Sequence, residues 1–404
     1  PYYYSQEEGI KRYGSIFNFI TNIQSCFTKK PEGYSIERIR EIANCFEDDE
    51  CNIRGELPNL IVIMNESWAD INIVNEPDKA SSYMPNITRF SEAGDCFLGN
   101  VVVPTFGGGT NKSEFAFLTG SVMSFGLTGS CYDLDCQEGT ASMVSALKDL
   151  GYYTIALHPA YYKNWDRDIG YKKLGFDQFY SIEDLSSYEM EYLRSYGYVS
   201  DSSLYNVIYD LTDNAAEDKP IFIFCVTIQN HGDYNDESYT PTIAAEDSQT
   251  AQYLSLVKET DAAFAQLVEH YRLSQTATAV LMFGDHMPSL DNIEQFVPSG
   301  SLEYFTTPYV IWSNFDDEYE FEIPYCTIPY FFEAAGLPLT GYQKFLKENS
   351  LKYPLIHGGK YYDNDKTPHV ITQGNLPEEI INYQYIQYNN LFDSANRVTQ
   401  FYSK

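Results

Sequence analysis

No apolar run in this chain is long enough to span a bilayer; the longest, Leu60–Met64 and Ile221–Ile228, have strand length. Basic residues are scarce. With 26 Lys and Arg against 57 Asp and Glu, the net charge of −31 argues against a nucleic-acid partner and against docking by charge on an anionic membrane. None of the eight cysteines falls in a C-x-x-C pair, which removes the usual zinc-binding spacing. Cys45 with Cys51, and Cys131 with Cys136, have the spacing of small disulfide loops in an oxidising compartment, whereas Cys225 lies inside an apolar run and reads as a buried thiol. Internal repeats and low-complexity linkers are missing. So are a signal peptide and an initiator methionine before Pro1, and the chain reads as a piece of a longer protein.

What is present is a globular composition: 44% hydrophobic residues, 16% aromatic residues and 36 tyrosines in 404 positions, enough for one large core with an appended piece. Residues 1–55 read as an N-terminal helical arm, because GIKRYGSIFNFITNIQSCF has helical spacing and Ser35 is placed to cap IERIREIANCF. From Pro58 the texture changes. Apolar strands at 59–67, 97–104, 152–158, 220–228, 277–286 and 307–314 alternate with helical patterns, the longest being QTAQYLSLVKETDAAFAQLVEHYRLS. Strands that are apolar throughout predict an α/β fold over residues 56–325, with a mainly parallel central sheet flanked by helices on both faces. Residues 326–404 read as a smaller C-terminal α+β subdomain packed on it, with helical stretches followed by a Gly-, Tyr- and Asp-rich segment.

In such a sheet, chemistry collects beyond the C-terminal ends of the strands. The first strand ends in Asn65-Glu66-Ser67 and the fifth in Gly284-Asp285-His286. Between them, VVVPTFGGGTNKSEF places three glycines before Thr110, which falls at a helix start where free N–H groups favour a phosphate or sulfate. Glu66, Thr110, Asp285 and His286 make a four-ligand set for one divalent metal, Mn²⁺, Mg²⁺ or Zn²⁺, which would lower the pKa of the Thr110 hydroxyl and make it a nucleophile. Each piece alone has a plainer reading, a Gly-rich turn with a threonine cap or an Asp-His loop cap. Of six histidines, His158, His231 and His286 directly follow predicted core strands, while His270 sits in a helical pattern and His357 and His369 in loops. In KNWDRD, Arg167 offers a planar donor fork for a phosphoryl oxygen and Trp165 a flat wall; the plainer reading pairs Arg167 with a neighbouring Asp.

Five stretches, IVIMNES, GGGTNKSEF, ALHPAYYKNWDRD, TIQNHGDY and FGDHMPSL, stand in the order of a known family. From about Pro58 to Asn314 the chain resembles the extracellular catalytic domain of lipoteichoic acid synthases and related phosphoglycerol transferases, in the sulfatase branch of the alkaline phosphatase superfamily. The resemblance implies Thr110 as nucleophile with Glu114 downstream, metal ligands Glu66, Thr110, Asp285 and His286, and a glycerol-phosphate pocket of His158, Trp165, Arg167 and His231. It implies one divalent ion, Mn²⁺ by preference, an anionic phosphatidylglycerol-like lipid donor, and a teichoic acid or glycan acceptor. Glycerol phosphate would pass through a phospho-threonine, with Arg167 holding phosphoryl oxygens and His231 or His158 moving the proton, as a histidine can at neutral pH. Family members are carried by upstream membrane helices, which places this domain on the extracellular face of a bacterial membrane. Lys112, Lys163, Lys172 and Lys173 are candidates for a basic approach to the pocket. The rival readings are a phosphodiesterase or phosphoethanolamine transferase on the same scaffold, and a non-catalytic teichoic-acid binder. Sulfate-ester chemistry needs a cysteine or serine where Thr110 stands.

Overall fold

Asn59–Asn65 (NLIVIMN) is buried at every position, as a strand covered by helices on both faces must be. In the computed structural model, which describes residues 28–46, 56–214, 219–315, 328–372 and 374–403 with positions 11, 14 and 15, this strand is β1 of a seven-stranded sheet. The others are β2 (Phe97–Val102), β3 (Tyr153–Leu157), β4 (Gln178–Tyr180), β5 (Ile221–Val226), β6 (Thr278–Gly284) and β7 (Thr306–Ser313), in the order β2-β7-β6-β1-β5-β3-β4. The five strands from β6 to β4 are parallel, and β7 runs antiparallel to both β6 and β2. The mainly parallel α/β sheet expected from the apolar runs is therefore present. Only β4 went unread, since three residues of mixed burial carry no periodic signal.

Alternation along β1 sends Ile61 and Ile63 into one core and Leu60, Val62 and Met64 into the other. The helices used below are α1 (Ile36–Asn44), α2 (Thr110–Thr119), α3 (Arg167–Leu174), α4 (Asp201–Asp213), α5 (Ser248–Arg272), α6 (Gly341–Lys352) and α7 (Glu378–Phe392). The first core is closed by α4 and α5 through Leu204, Ile208, Leu256 and Phe264. The second is closed by α2 through Phe115 and Leu118. A third cluster joins Ile39 and Ile42 of α1 to Phe345 and Leu346 of α6, Ile386 of α7 and Phe401. Ser35 caps α1 as expected, accepting from Arg38 N at 3.2 Å. A small antiparallel sheet, Leu355–His357, Lys360–Tyr362 and Pro368–Val370, follows α6.

The expected helix over 9–27 lies outside the described residues except at positions 11, 14 and 15, and Cys26, Cys51 and Cys326 lie outside them too. The expected Cys131–Cys136 loop is not closed. Both thiols are free, each packed into the core on the α2 side, while Cys225 is the buried thiol expected in β5. No helix among the described residues is long and apolar enough to cross a membrane.

The register of the sheet builds the site. Asn65 of β1 lies opposite Gly284 of β6, so the residues that follow, Glu66 and Asp285, leave the sheet side by side. Gly284 has no room for a side chain: a Cβ there would sit 1.8 Å from the Trp68 carbonyl oxygen, a backbone atom that cannot swing away. Gly284→Ala is accordingly expected to cost about 3 kcal/mol or more, and an unchanged urea midpoint would refute the close approach of the two strand ends.

Candidate active site

Glycines 107–109 all hold positive φ (62°, 140° and 83°), a path barred to most residues, and they deliver Thr110 to the first position of α2. Helix α2 has almost no solvent face. Its Ser113 hydroxyl donates to the Asp285 carbonyl at 2.6 Å, which locks the helix start to the end of β6. The Thr110 hydroxyl lies against the Asp285 carboxylate and helps to hold it ionised.

Glu66, Asp285 and His286 are buried, and one ligating atom from each falls within 4.8 Å of the others. His286 Nδ1 donates to the Met287 carbonyl at 2.9 Å, so the Nε2 lone pair is left facing Asp285 Oδ2 at 3.2 Å and Glu66 Oε1 at 3.5 Å. Asp285 Oδ1 accepts from Ser67 N at 2.7 Å, but the buried Oδ2 receives no well-aligned hydrogen bond. Burial, then repulsion from Glu66, raises the Asp285 pKa. Burial opposes charge on His286, yet the two carboxylates outweigh it and raise that pKa as well. Two carboxylates and an imidazole lone pair aimed at one dry point are a poor arrangement by themselves and a good one around a divalent cation. The residues fit a metal.

Sequence reasoning missed what holds these ligands. Ser67, at φ 49°, donates its hydroxyl to Glu66 Oε1 at 2.8 Å. Tyr253 of α5 donates its hydroxyl to the carbonyls of Ser67 and Ala69. Behind Glu66, the Thr227 hydroxyl accepts from Glu66 N, and Asp201 gathers Asn65 Nδ2 at 2.9 Å and the Thr260 hydroxyl at 2.7 Å. Asn65 stands next to Glu66 in the chain and was legible as part of the strand end. The α4 and α5 partners sit 136 and more residues away and carried no signal.

A cavity of about 300 Å³ opens over this group, lined by Glu66, Thr110, His158, Trp165, Arg167, His231 and His286 among others. Every site residue expected from the sequence thus lines it, except Asp285, which lies fully buried at its floor against Thr110. A larger cavity of about 460 Å³ touches α2 elsewhere, but its wall is chiefly apolar, Phe117, Phe283 and Leu346 among others. None of Lys112, Lys163, Lys172 or Lys173 lines the 300 Å³ cavity, and Lys173 donates to the Tyr132 and Asp133 carbonyls instead. The expected lysine approach is not at its wall; Arg167 supplies the cation there.

Arg167 is not paired with a neighbouring Asp. Its Nε donates to Glu114 Oε1 and Oε2 at 3.0 and 3.1 Å, and its Nη2 to Oε1, in a buried pair linking α3 to α2. Tyr132 and Tyr171 donate their hydroxyls to Glu114 Oε2 at 2.9 and 2.6 Å. Its Nη1 also reaches the Asn164 carbonyl at 3.4 Å, and Arg167 lines the cavity. Burial opposes the charge on Arg167, and Glu114 overcomes it. Trp165 and Asp166 both take left-handed backbone, φ 60° and 56°, and Trp165 stands half exposed at the rim.

His158 corrects an expectation. Burial, then the Arg167 charge, pushes its pKa well below the usual histidine value, so it is neutral and cannot supply a proton near pH 7. Its Nδ1 donates to the Val226 carbonyl at 2.9 Å, leaving Nε2 as an acceptor. Below about pH 6.5 the unfolded chain gains a proton that folded His158 refuses, so stability is full above that pH and falls as the pH drops. Between pH 7.5 and 5.5 the wild type is expected to lose more stability than His158→Gln; equal losses in urea titrations would refute this. His231 is exposed, with Nδ1 donating to the Gly232 carbonyl at 2.6 Å.

Known proteins can now be set beside this geometry. A putative cyclic β-1,2-glucan modification protein of Rhizobium meliloti is 27% identical over the whole of this chain, which spans 65% of that protein's length. The Streptococcus pyogenes phosphoglycerol transferase GacH, solved with sn-glycerol-1-phosphate, superposes with a TM-score of 0.69 at 21% identity, covering 93% of this chain and 99% of that one. The lipoteichoic acid synthase LtaP of Listeria monocytogenes does so at 0.62 and 16%, covering 90% and 98%. These two likenesses establish a shared fold. Residues 58–318 match the Sulfatase family model, a span that starts just before β1, ends just past β7 and takes in every group lining the cavity floor, and on that match the chain belongs to the sulfatase family.

Proposed function

We propose that this domain is a metal-dependent phosphoglycerol transferase, moving glycerol phosphate from a phosphatidylglycerol-like lipid to an acceptor hydroxyl on a teichoic acid or glycan. The observation that carries the reading is the Thr110 hydroxyl at a helix start, against the Asp285 carboxylate of a buried Glu-Asp-His group, under a cavity lined by His158, Arg167 and His231. Similarity to a phosphoglycerol transferase and a lipoteichoic acid synthase supports it. Membership of the sulfatase family does not imply sulfate-ester cleavage, because the nucleophile position holds a threonine.

Glu66, Asp285, His286 and the Thr110 hydroxyl would hold one divalent ion, and its oxygen-rich ligand set suits Mn²⁺ or Mg²⁺. When bound, that ion supplies the positive charge that lowers the Thr110 hydroxyl pKa and neutralises the carboxylates. Thr110 Oγ, its proton already given up to water, then attacks phosphorus, its bond to phosphorus forming as the bond to diacylglycerol breaks. The helix start and the Arg167 guanidinium face the oxygens on which charge gathers. His231 gives its proton to the departing diacylglycerol oxygen and takes one from the acceptor hydroxyl that displaces Thr110 in the second step. Neutral His158 accepts a hydrogen bond from a glycerol hydroxyl. The domain would work on the extracellular face, carried there by membrane segments elsewhere in the full protein.

Intact-mass analysis after incubation with phosphatidylglycerol and Mn²⁺, without acceptor, tests this. One added glycerophosphoryl group, mapped to Thr110 and absent after chelation, is expected. An adduct formed only from phosphatidylethanolamine would reassign the head group, and no adduct or released head group from either lipid would end the transferase reading.

A further inference from the structure

Beside His231, a loop of tyrosines is fixed to the rim of the cavity by a buried arginine. Residues 190–199 turn back on themselves through an antiparallel bridge between Tyr192 and Val199. Arg194, 4% exposed, donates Nη1 to the Asp233 carbonyl at 2.7 Å and Nη2 to the carbonyls of Gln229 and His231 at 2.8 and 2.6 Å. Ser195 adds two hydrogen bonds to Asp236, at 2.6 and 2.9 Å. The loop is thereby tied at several points to the segment that carries His231. Its aromatic rings continue outward from the cavity: Tyr198 lies 5.1 Å from the His231 ring and 6.1 Å from Tyr196, centroid to centroid. Tyr196 is 41% exposed and Tyr192 50%.

Tyrosine faces held still in water favour a partner with an apolar face and polar edges, since little side-chain freedom is lost on contact. Two chemistries have that shape, a sugar ring and a lipid interface. The charge decides between them. Glu189, Glu191 and Asp233 stand exposed in and next to the loop, within a chain of net charge −31. Carboxylates repel anionic headgroups, but they accept hydrogen bonds from sugar hydroxyls while a ring stacks on the tyrosine face. We propose that Tyr196 and Tyr198 form the platform for a neutral glycan acceptor, with Arg194 positioning that platform so that a sugar hydroxyl arrives at His231. The inference rests on the transferase reading and narrows its acceptor from teichoic acid or glycan to a neutral glycan.

The test uses a neutral β-glucan hexasaccharide and an oligomer of glycerol phosphate as probes. Glucan binding is titrated by intrinsic fluorescence and by saturation-transfer NMR, neither of which needs turnover. In Tyr196→Ala, at an exposed position, affinity for the glucan is expected to fall roughly tenfold, and Tyr196→Trp is expected to keep most of it. The acceptor KM for the glucan should rise by the same factor, with no such change for the glycerol phosphate oligomer. Equal glucan affinity in wild type and Tyr196→Ala overturns the platform. So does a Tyr196→Ala variant that loses binding to phosphatidylglycerol vesicles while glucan affinity is unchanged. Failure of wild-type donor cleavage sinks the transferase reading separately, because the glucan titration still decides whether the tyrosines bind sugar.

Discussion

Thr110→Ala is expected to cut glycerophosphoryl transfer by roughly 10³-fold or more, and to abolish the covalent adduct. The structure makes this a clean substitution. Helix α2 starts from Gly109 without any side-chain cap, so alanine at its first position removes no capping bond. What goes is one hydroxyl against the Asp285 carboxylate, a loss of about 1 kcal/mol in stability. A small drop in melting temperature beside a near-complete loss of transfer would separate chemistry from folding. Thr110→Ser keeps the oxygen and is expected to keep measurable transfer. The methyl group it lacks helped to fix the rotamer of that oxygen, so its rate should sit between the two. If Thr110→Ala still accumulates a glycerophosphoryl group at another residue, the nucleophile has been misassigned. If it transfers at the wild-type rate with no adduct, the acceptor attacks directly and the two-step scheme falls.

The place of Thr110 beside Asp285 was readable for the same reason that the sheet was readable. Residues buried on both faces leave long apolar runs, and the runs ending at Asn65 and Gly284 mark where a parallel sheet exposes polar groups. Neighbouring strands in register then bring Glu66 and Asp285 together without further information. Legibility stopped where a role depends on distant packing. KNWDRD announced an arginine near a phosphoryl group, but its partner Glu114 is 53 residues away on a different helix. His158 followed a core strand, as read, yet its neutrality comes from complete burial beside Arg167, which no local pattern encodes. The Cys131 and Cys136 spacing allowed a disulfide; core packing on the α2 side placed the two thiols separately instead. Tyr196 and Tyr198 are two among 36 tyrosines, and the three-carbonyl grip of Arg194 distinguishes their loop.

Glu114→Ala is expected to destabilise the domain by about 3–5 kcal/mol, the usual consequence of leaving one half of a buried ion pair behind. Here the loss is compounded. Arg167 would keep its charge at 1% exposure with no counter-ion, and the Tyr132 and Tyr171 hydroxyls would lose the oxygen they both donate to. Glu114→Gln keeps the volume and one acceptor oxygen, so it should cost less in stability but still weaken the fork that aims Arg167. Its signature is a raised donor KM in a folded protein. Stability and function can be pulled apart further, because a buried pair replaced on both sides by apolar residues is often no less stable than the original. Glu114→Leu/Arg167→Met should therefore recover much of the urea midpoint lost in Glu114→Ala while transfer stays down, since the guanidinium proposed to hold the phosphoryl oxygens is gone. Recovery of both would make the pair a strut between α2 and α3 with no part in catalysis. Recovery of neither would mean that Tyr132 and Tyr171, stranded around a leucine, matter more than the ion pair itself.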